Sequence, residues 1–427
     1  MCNHPEAVGC TIEGGAALGS TTTKPTTQQP SSAPSTAANE AQVDNEYNEW
    51  KPSGDYGNYD YKPWTPSTTT WSPDWESVPE VSPLSGDYKV VCYFTNWAWY
   101  RPGVGKYRPE DIDPTLCTHI IYGFAVLDST TLQMKPHDSW ADIDNNFYKK
   151  VVEFKKYGIK VSVAIGGWND SKGDKYSRLV NSPAARRKFI VNVIKFIEEW
   201  NFDGLDLDWE YPSCWQTDCK EEHYKDKAAF AAWVRELKEE FRPRGLLLSA
   251  AVSPSKKIIE VGYDVPSIAR DLDWINVMTY DYHGHWDKKT GHVAPFAAHP
   301  EDDFFYFNLK YTIDFWMKQG ASREKLVVGM PLYGQAFTLD NADEHGLNAP
   351  ARRKGAAGEF TRAAGFLAYY EICNSIKQVR SDCILQENVT YVHCREAGLW
   401  YRTQKEEWAP TPTRTANGFV SRMLSCS

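Results

Sequence analysis

The sequence predicts an α/β fold, a (β/α)8 barrel of the TIM type, and three observations carry that prediction. Short apolar runs recur at 89–95, 118–126, 160–165, 204–210, 246–252, 274–280 and 326–332. Amphipathic helical stretches fill the gaps between them, and one run alternates acids with bulky apolar residues. Parallel strands covered by helices read as near-continuous apolar runs, and repeated strand–helix units close into a barrel.

Before the first run, residues 11–86 read as a disordered linker. Its first half is rich in Thr, Ser, Pro and Ala. Its second half sets Tyr47, Trp50, Tyr56, Trp64, Trp71 and Trp75 among Pro, Gly, Asp and Ser without helical or strand period. The folded part then begins at residue 87. Ser182-Pro183 marks a helix start, an N-cap followed by proline at the first helical position. Phe189, Val193, Phe196, Ile197 and Trp200 follow at helical spacing, and Phe230, Trp233, Leu237 and Phe241 make a second stripe over 228–241.

In such a barrel, function collects at the C-terminal ends of the strands. Those ends are Tyr93-Phe94-Thr95-Asn96-Trp97, Gly123-Phe124, Gly166-Gly167-Trp168, Glu210-Tyr211, Met278-Thr279-Tyr280-Asp281-Tyr282 and Met330-Pro331-Leu332-Tyr333. Most are aromatic or acidic; such ends also suit ordinary core, but polar Tyr and Asp at so many of them favour a carbohydrate cleft.

The fourth run orders the rest. A strand's side chains alternate, so Asp206, Asp208 and Glu210 share one face while Leu205, Leu207 and Trp209 share the other. Carboxyls in such a row stand only about 6–7 Å apart, so they cannot all ionise cheaply. One proton at least is shared, which keeps a general acid available near neutral pH. Asp203 has the opposite parity and falls outside the row. Clustered carboxylates also suit a hard cation, but no His lies in the row to help hold one. The site is read as metal-free.

A net charge of −9, with 47 Lys and Arg against 56 Asp and Glu, argues against nucleic acid or anionic lipid as partner. No apolar run approaches the roughly 20 residues of a membrane span. Seventeen Trp suit stacking on sugar rings, and the ten Cys do not fix the compartment by number alone.

The run from Asp203 to Glu210 resembles the DxxDxDxE signature of glycoside hydrolase family 18 chitinases. Ala164-Ile165-Gly166-Gly167-Trp168 resembles the family's SxGG motif, with Ala164 in place of Ser, and 278–282 resembles its sixth-strand motif. The resemblance implies retaining, substrate-assisted hydrolysis of chitin and chito-oligosaccharides, endo-acting and without cofactor. Glu210 would be the acid, Asp208 the acetamido holder, Asp206 its proton-sharing partner and Tyr280 a hydroxyl donor. Tyr93, Met278 and Asp281 would shape the floor, and Trp97, Trp168 and Trp286 would stack on sugars, with Phe124, Tyr211 and Tyr333 lining the cleft.

It further implies a Cys92–Cys117 disulfide, and Cys214 with Cys219 are placed to close a loop after the acid. Residues 87–339 would be the barrel and 340–377 the start of an α+β insertion. From 378 to 427 the likeness is lost: no eighth strand and no partner for Cys373 can be read there, and Gln335 stands where many members have Arg. The expectation is a chain truncated before the eighth strand, poorly soluble or weakly active. Residues 1–10 resemble the end of a cysteine-rich chitin-binding module, implying a monomeric module of a larger secreted protein. The alternative is a non-catalytic, lectin-like chitin binder of the same fold.

Overall fold

The computed structural model describes residues 88–219, 224–341 and 343–378, and the backbone of 383–385, 390–394 and 399–403. From 375 onward only the backbone is described. The expected linker and the module remnant at 1–10 lie outside the described residues.

Seven parallel strands pair in chain order: β1 (Val91–Thr95), β2 (His119–Leu127), β3 (Lys160–Gly166), β4 (Gly204–Asp208), β5 (Leu247–Val252), β6 (Trp274–Val277) and β7 (Leu326–Val328). Each falls within a residue or two of a predicted run at its start. A short strand, Met134–Pro136, adds antiparallel to β2. Among the described residues no strand joins β7 to β1, so the curled sheet stays open at its last position.

The outer layer holds helices α1 (Phe147–Val152), α2 (Lys175–Val180), α3 (Pro183–Trp200), α4 (Asp226–Phe241), α5 (Lys256–Gly262), α6 (Val265–Asp271) and α7 (Leu309–Lys318). α3 starts as its sequence demands: Ser182 Oγ accepts the Ala185 N–H at 3.2 Å, Pro183 follows, and Asn201 ends the helix in the left-handed region. Phe189, Val193 and Ile197 on α3 and Phe230, Trp233, Leu237 and Phe241 on α4 are buried.

The side-chain parity of β4 follows from this packing. Leu205, Leu207 and Trp209 join the layer between sheet and helices, where Trp209 stacks on Tyr176 of α2 at 5.6 Å and meets Phe230 of α4 at 6.1 Å. A smaller cluster of Ile121, Phe124, Ala164 and Trp274 fills the barrel interior.

After β7 the chain turns antiparallel. Tyr333–Gln335 pairs with Phe366–Ala368, and Phe337–Thr338 pairs with both Arg353–Lys354 and Leu399–Thr403. Thr390–Cys394 and Cys383–Leu385 complete that five-stranded sheet, with helix α8 (Tyr369–Gln378) leading into it. The tail therefore adds strands to this sheet and, among the described residues, none to the barrel.

Cys92–Cys117 ties β1 to the approach to β2, and Cys214–Cys219 closes a hairpin. Cys373, whose pairing the sequence leaves open, is disulfide-bonded as well. No described helix is long and apolar enough to cross a membrane.

Candidate active site

β4 carries the acid row into the barrel interior. Asp206 lies in register between Ala164 of β3 and Ser249 of β5. Its carboxylate accepts bonds from Ser249 Oγ at 2.6 Å, Tyr93 OH at 2.9 Å and Asn276 Nδ2 at 3.1 Å. Burial raises its pKa to about 6, although these three donors pull the other way. Asp203, of opposite parity, accepts the Val161 N–H at 2.8 Å and pairs with Lys155 at 3.1 Å, a structural task at the strand's start.

Two residues along, Asp208 is fully buried and neither carboxyl oxygen has a hydrogen-bond partner. Burial and then the Asp206 charge push its pKa well above the carboxylate range. Glu210 lies just past the strand end, 1 % exposed, with Oε1 likewise unpartnered. Burial raises its pKa well up, and the Asp208 charge adds to it. Both carboxyls are pushed above the carboxylate range and act on each other, so a proton stays shared in the row, in agreement with the crowding argument, and burial is the larger cause.

Close approach explains the two glycines beside the row. Gly166 has φ +117°, and a Cβ there would stand 2.1 Å from the Asp208 carbonyl oxygen. The Gly167 N–H donates to that same oxygen at 2.8 Å.

Around the acids the strand ends supply aromatics. Tyr93 donates to Asp206 and accepts the Asn276 amide at 3.0 Å. Tyr280, Tyr211 and Met278 are buried, and burial with the charges of Asp208 and Glu210 keeps the Tyr280 hydroxyl protonated. Tyr333 packs its ring edge-on to Tyr280 at 6.2 Å. Asp281 takes a left-handed backbone, φ 57°, and accepts the Gln335 amide at 3.1 Å. Gln335 thus fills the place where the resemblance leads one to expect Arg.

Trp97 stacks on Phe124 at 5.9 Å, and Trp168 is half-buried at the end of β3. Trp286 stands 44 % exposed on the turn His285–Asp287. The structure therefore gathers Tyr93, Asp206, Asp208, Glu210, Tyr211, Tyr280 and Asp281 in one electrostatic unit, with Trp286 outside that buried group. Sequence reasoning missed Ser249, Asn276 and Ser171. The first two carried a signal, a polar residue set in an apolar run.

The sequence profile described as Glycosyl hydrolases family 18 matches residues 89–414, which reaches into the 378–427 tail where the sequence motifs show no likeness. Probable chitinase 10 of Drosophila melanogaster is 63% identical over 300 residues, 70% of this chain but 13% of that protein. Probable chitinase 2 of the same species is 42% identical over 320 residues, 73% of this chain and 64% of its own length. This chain thus spans less than two thirds of either relative.

Among solved structures, catalytic domain 2 of the Ostrinia furnacalis Group II chitinase is 52% identical with a TM-score of 0.72, covering 75% of this chain and 84% of that one. A human protein described as a pseudo-chitinase with retained chitooligosaccharide binding properties is 35% identical with a TM-score of 0.65, covering 74% and 85%. With the acid row on β4, the curled parallel sheet and these matches together, the chain belongs to glycosyl hydrolase family 18.

Proposed function

We propose that this chain hydrolyses β-1,4-linked N-acetylglucosamine polymers, chitin and its oligosaccharides, with retention and without a cofactor. One observation carries the reading. Glu210 is a buried carboxyl with an unpartnered oxygen, held protonated beside Asp208. Glu210 gives its proton to the glycosidic oxygen as the bond to the anomeric carbon breaks. The substrate's acetamido oxygen attacks that carbon, so no protein nucleophile is needed. Water then opens the oxazolinium and returns a proton to Glu210, restoring the acid.

Asp208 accepts the acetamido N–H and opposes the positive charge, which its two unpartnered oxygens allow. Asp206 takes up part of the shared proton. Tyr280 donates its hydroxyl to the acetamido oxygen, an oxyanion-hole type of task. Tyr93, Met278 and Asp281 shape the floor; Trp97, Phe124, Trp168, Tyr211, Trp286 and Tyr333 present faces to successive sugars.

Residues 87–339 serve as the catalytic barrel, 340–377 with the tail at 378–427 as a flank, and 1–10 with 11–86 as module remnant and linker in a larger secreted, monomeric protein. The disulfides favour an oxidising compartment.

The test is Glu210→Gln on a fluorogenic chitobioside, with and without chelator. Loss of about 10²–10⁴ in rate with oligomer binding retained and no effect of chelator supports the assignment. Turnover within about tenfold of wild type rejects it.

A second reading, a non-catalytic chito-oligosaccharide binder, is favoured by the open side of the barrel. Val328, Met330 and Leu332 there are 36%, 37% and 56% exposed. Oligomer binding by the wild type without turnover would establish it.

A further inference from the structure

Strand β4 stops at Asp208, so the sheet ladder does not fix Glu210. Bonds from two other places do. On one side the Glu210 N–H donates to Ser171 Oγ at 2.9 Å, and that hydroxyl lies 3.4 Å from the Asp208 carbonyl oxygen as its acceptor. On the other side the Gln216 N–H donates to the Glu210 carbonyl at 3.0 Å.

Both grips are themselves anchored. Ser171 is fully buried, and its own N–H donates to the Gly167 carbonyl at 2.9 Å. The preceding residue, Asp170, accepts the Leu127 N–H at 3.1 Å and the Tyr176 hydroxyl at 2.7 Å, and pairs with Lys175. Gln216 sits in the turn of the hairpin Cys214–Trp215 with Asp218–Cys219, closed by its disulfide, and its Nε2 reaches the Trp168 carbonyl at 3.3 Å. Tyr211 and Cys214 exchange backbone bonds at 2.8 and 3.0 Å, which fixes the hairpin's base next to the acid.

We infer that Ser171 and the Cys214–Cys219 hairpin are positioning elements for the general acid, gripping the peptide groups on both sides of Glu210 so that its carboxyl stays aimed at the leaving oxygen. The inference rests on Glu210 acting as proposed above. Neither element transfers a proton. Displacing a catalytic group by about 1 Å can cost on the order of 10²-fold in rate, so a grip of this kind has room to matter.

The experiment uses the full chain with Ser171→Ala, and separately the double variant Cys214→Ser with Cys219→Ser. kcat/KM is measured on an N-acetylchitotetraose, whose sugar leaving group needs a proton, and on a dinitrophenyl chitobioside, whose leaving group departs as a stable anion. The expected loss is about tenfold or more on the tetraose and within about twofold on the dinitrophenyl substrate. Equal losses on both would mean a smaller fraction of folded enzyme and would overturn the inference. Glu210→Gln serves as the reference: if it shows no such leaving-group split, the general-acid reading fails rather than the positioning one.

Amide hydrogen exchange reads the grip without turnover. Faster exchange across 209–217 in both variants, with 204–208 still protected, supports it. Unchanged exchange across 209–217, or faster exchange throughout the barrel, overturns it.

Discussion

Asp206 and Asp208 stand two residues apart on one face of one strand, both fully buried, and the barrel treats them differently. Asp206 receives three hydrogen bonds from β1, β5 and β6, and its pKa rises only to about 6. Asp208 receives none, and burial with the Asp206 charge pushes it well above the carboxylate range. Burial is common to the two, so the donors supplied by neighbouring strands to Asp206, and the Asp206 charge acting on Asp208, make the difference. The lower acid is held as a fixed anchor, and the upper one keeps its bonding capacity unused.

The comparison breaks most visibly at the upper acid. Asp208→Asn keeps shape but loses the carboxylate that opposes positive charge, and kcat on a chitobioside should fall by about 10²–10³. Asp206→Asn should cost less, on the order of tenfold. It also removes the charge that helps hold the Asp208 proton, so the pH–rate profile should move to lower pH. An Asp206 variant as inactive as Asp208→Asn would show that the two are not separable.

Stability sharpens the same contrast. A folded pKa of about 6 lies above the unfolded value near 3.8, so the folded state binds more protons between them. That contribution is full below about pH 4 and is lost as pH rises through about 6, on the order of 3 kcal/mol. Urea melts of wild type and Asp206→Asn should agree best below about pH 4 and separate as pH rises through about 6, the wild type losing stability; parallel curves would contradict it. The smallest effect is expected for Tyr93→Phe. It removes one of three donors from Asp206, costs about 1 kcal/mol in the same melts and raises the Asp206 pKa further.

Much of this was legible in the chain. The seven strands, the cap and stripe of α3, and the inward parity of the acids all depend on local period, which a sequence displays directly. Asp203 was rightly kept out of the row on parity alone. Ser249 in the run 247–252 and Asn276 in 274–277 were overlooked because a lone polar residue in an apolar strand acquires meaning only when its partner across the sheet is known. The same holds for Ser171, which meets Glu210 across 39 positions of sequence. The tail strands escaped because antiparallel pairing with Phe337–Thr338 depends on a distant edge, with no local helical or barrel repeat to announce it.

The order of residues alone determined that three acids share a face with apolar residues behind them, since alternation is a property of any extended chain. Only the tertiary structure decided which acid is satisfied, which is left bare and which lies past the end of its strand. Those outcomes depend on side chains and peptide groups brought from strands and loops far away in sequence, and on the burial that only a folded barrel supplies.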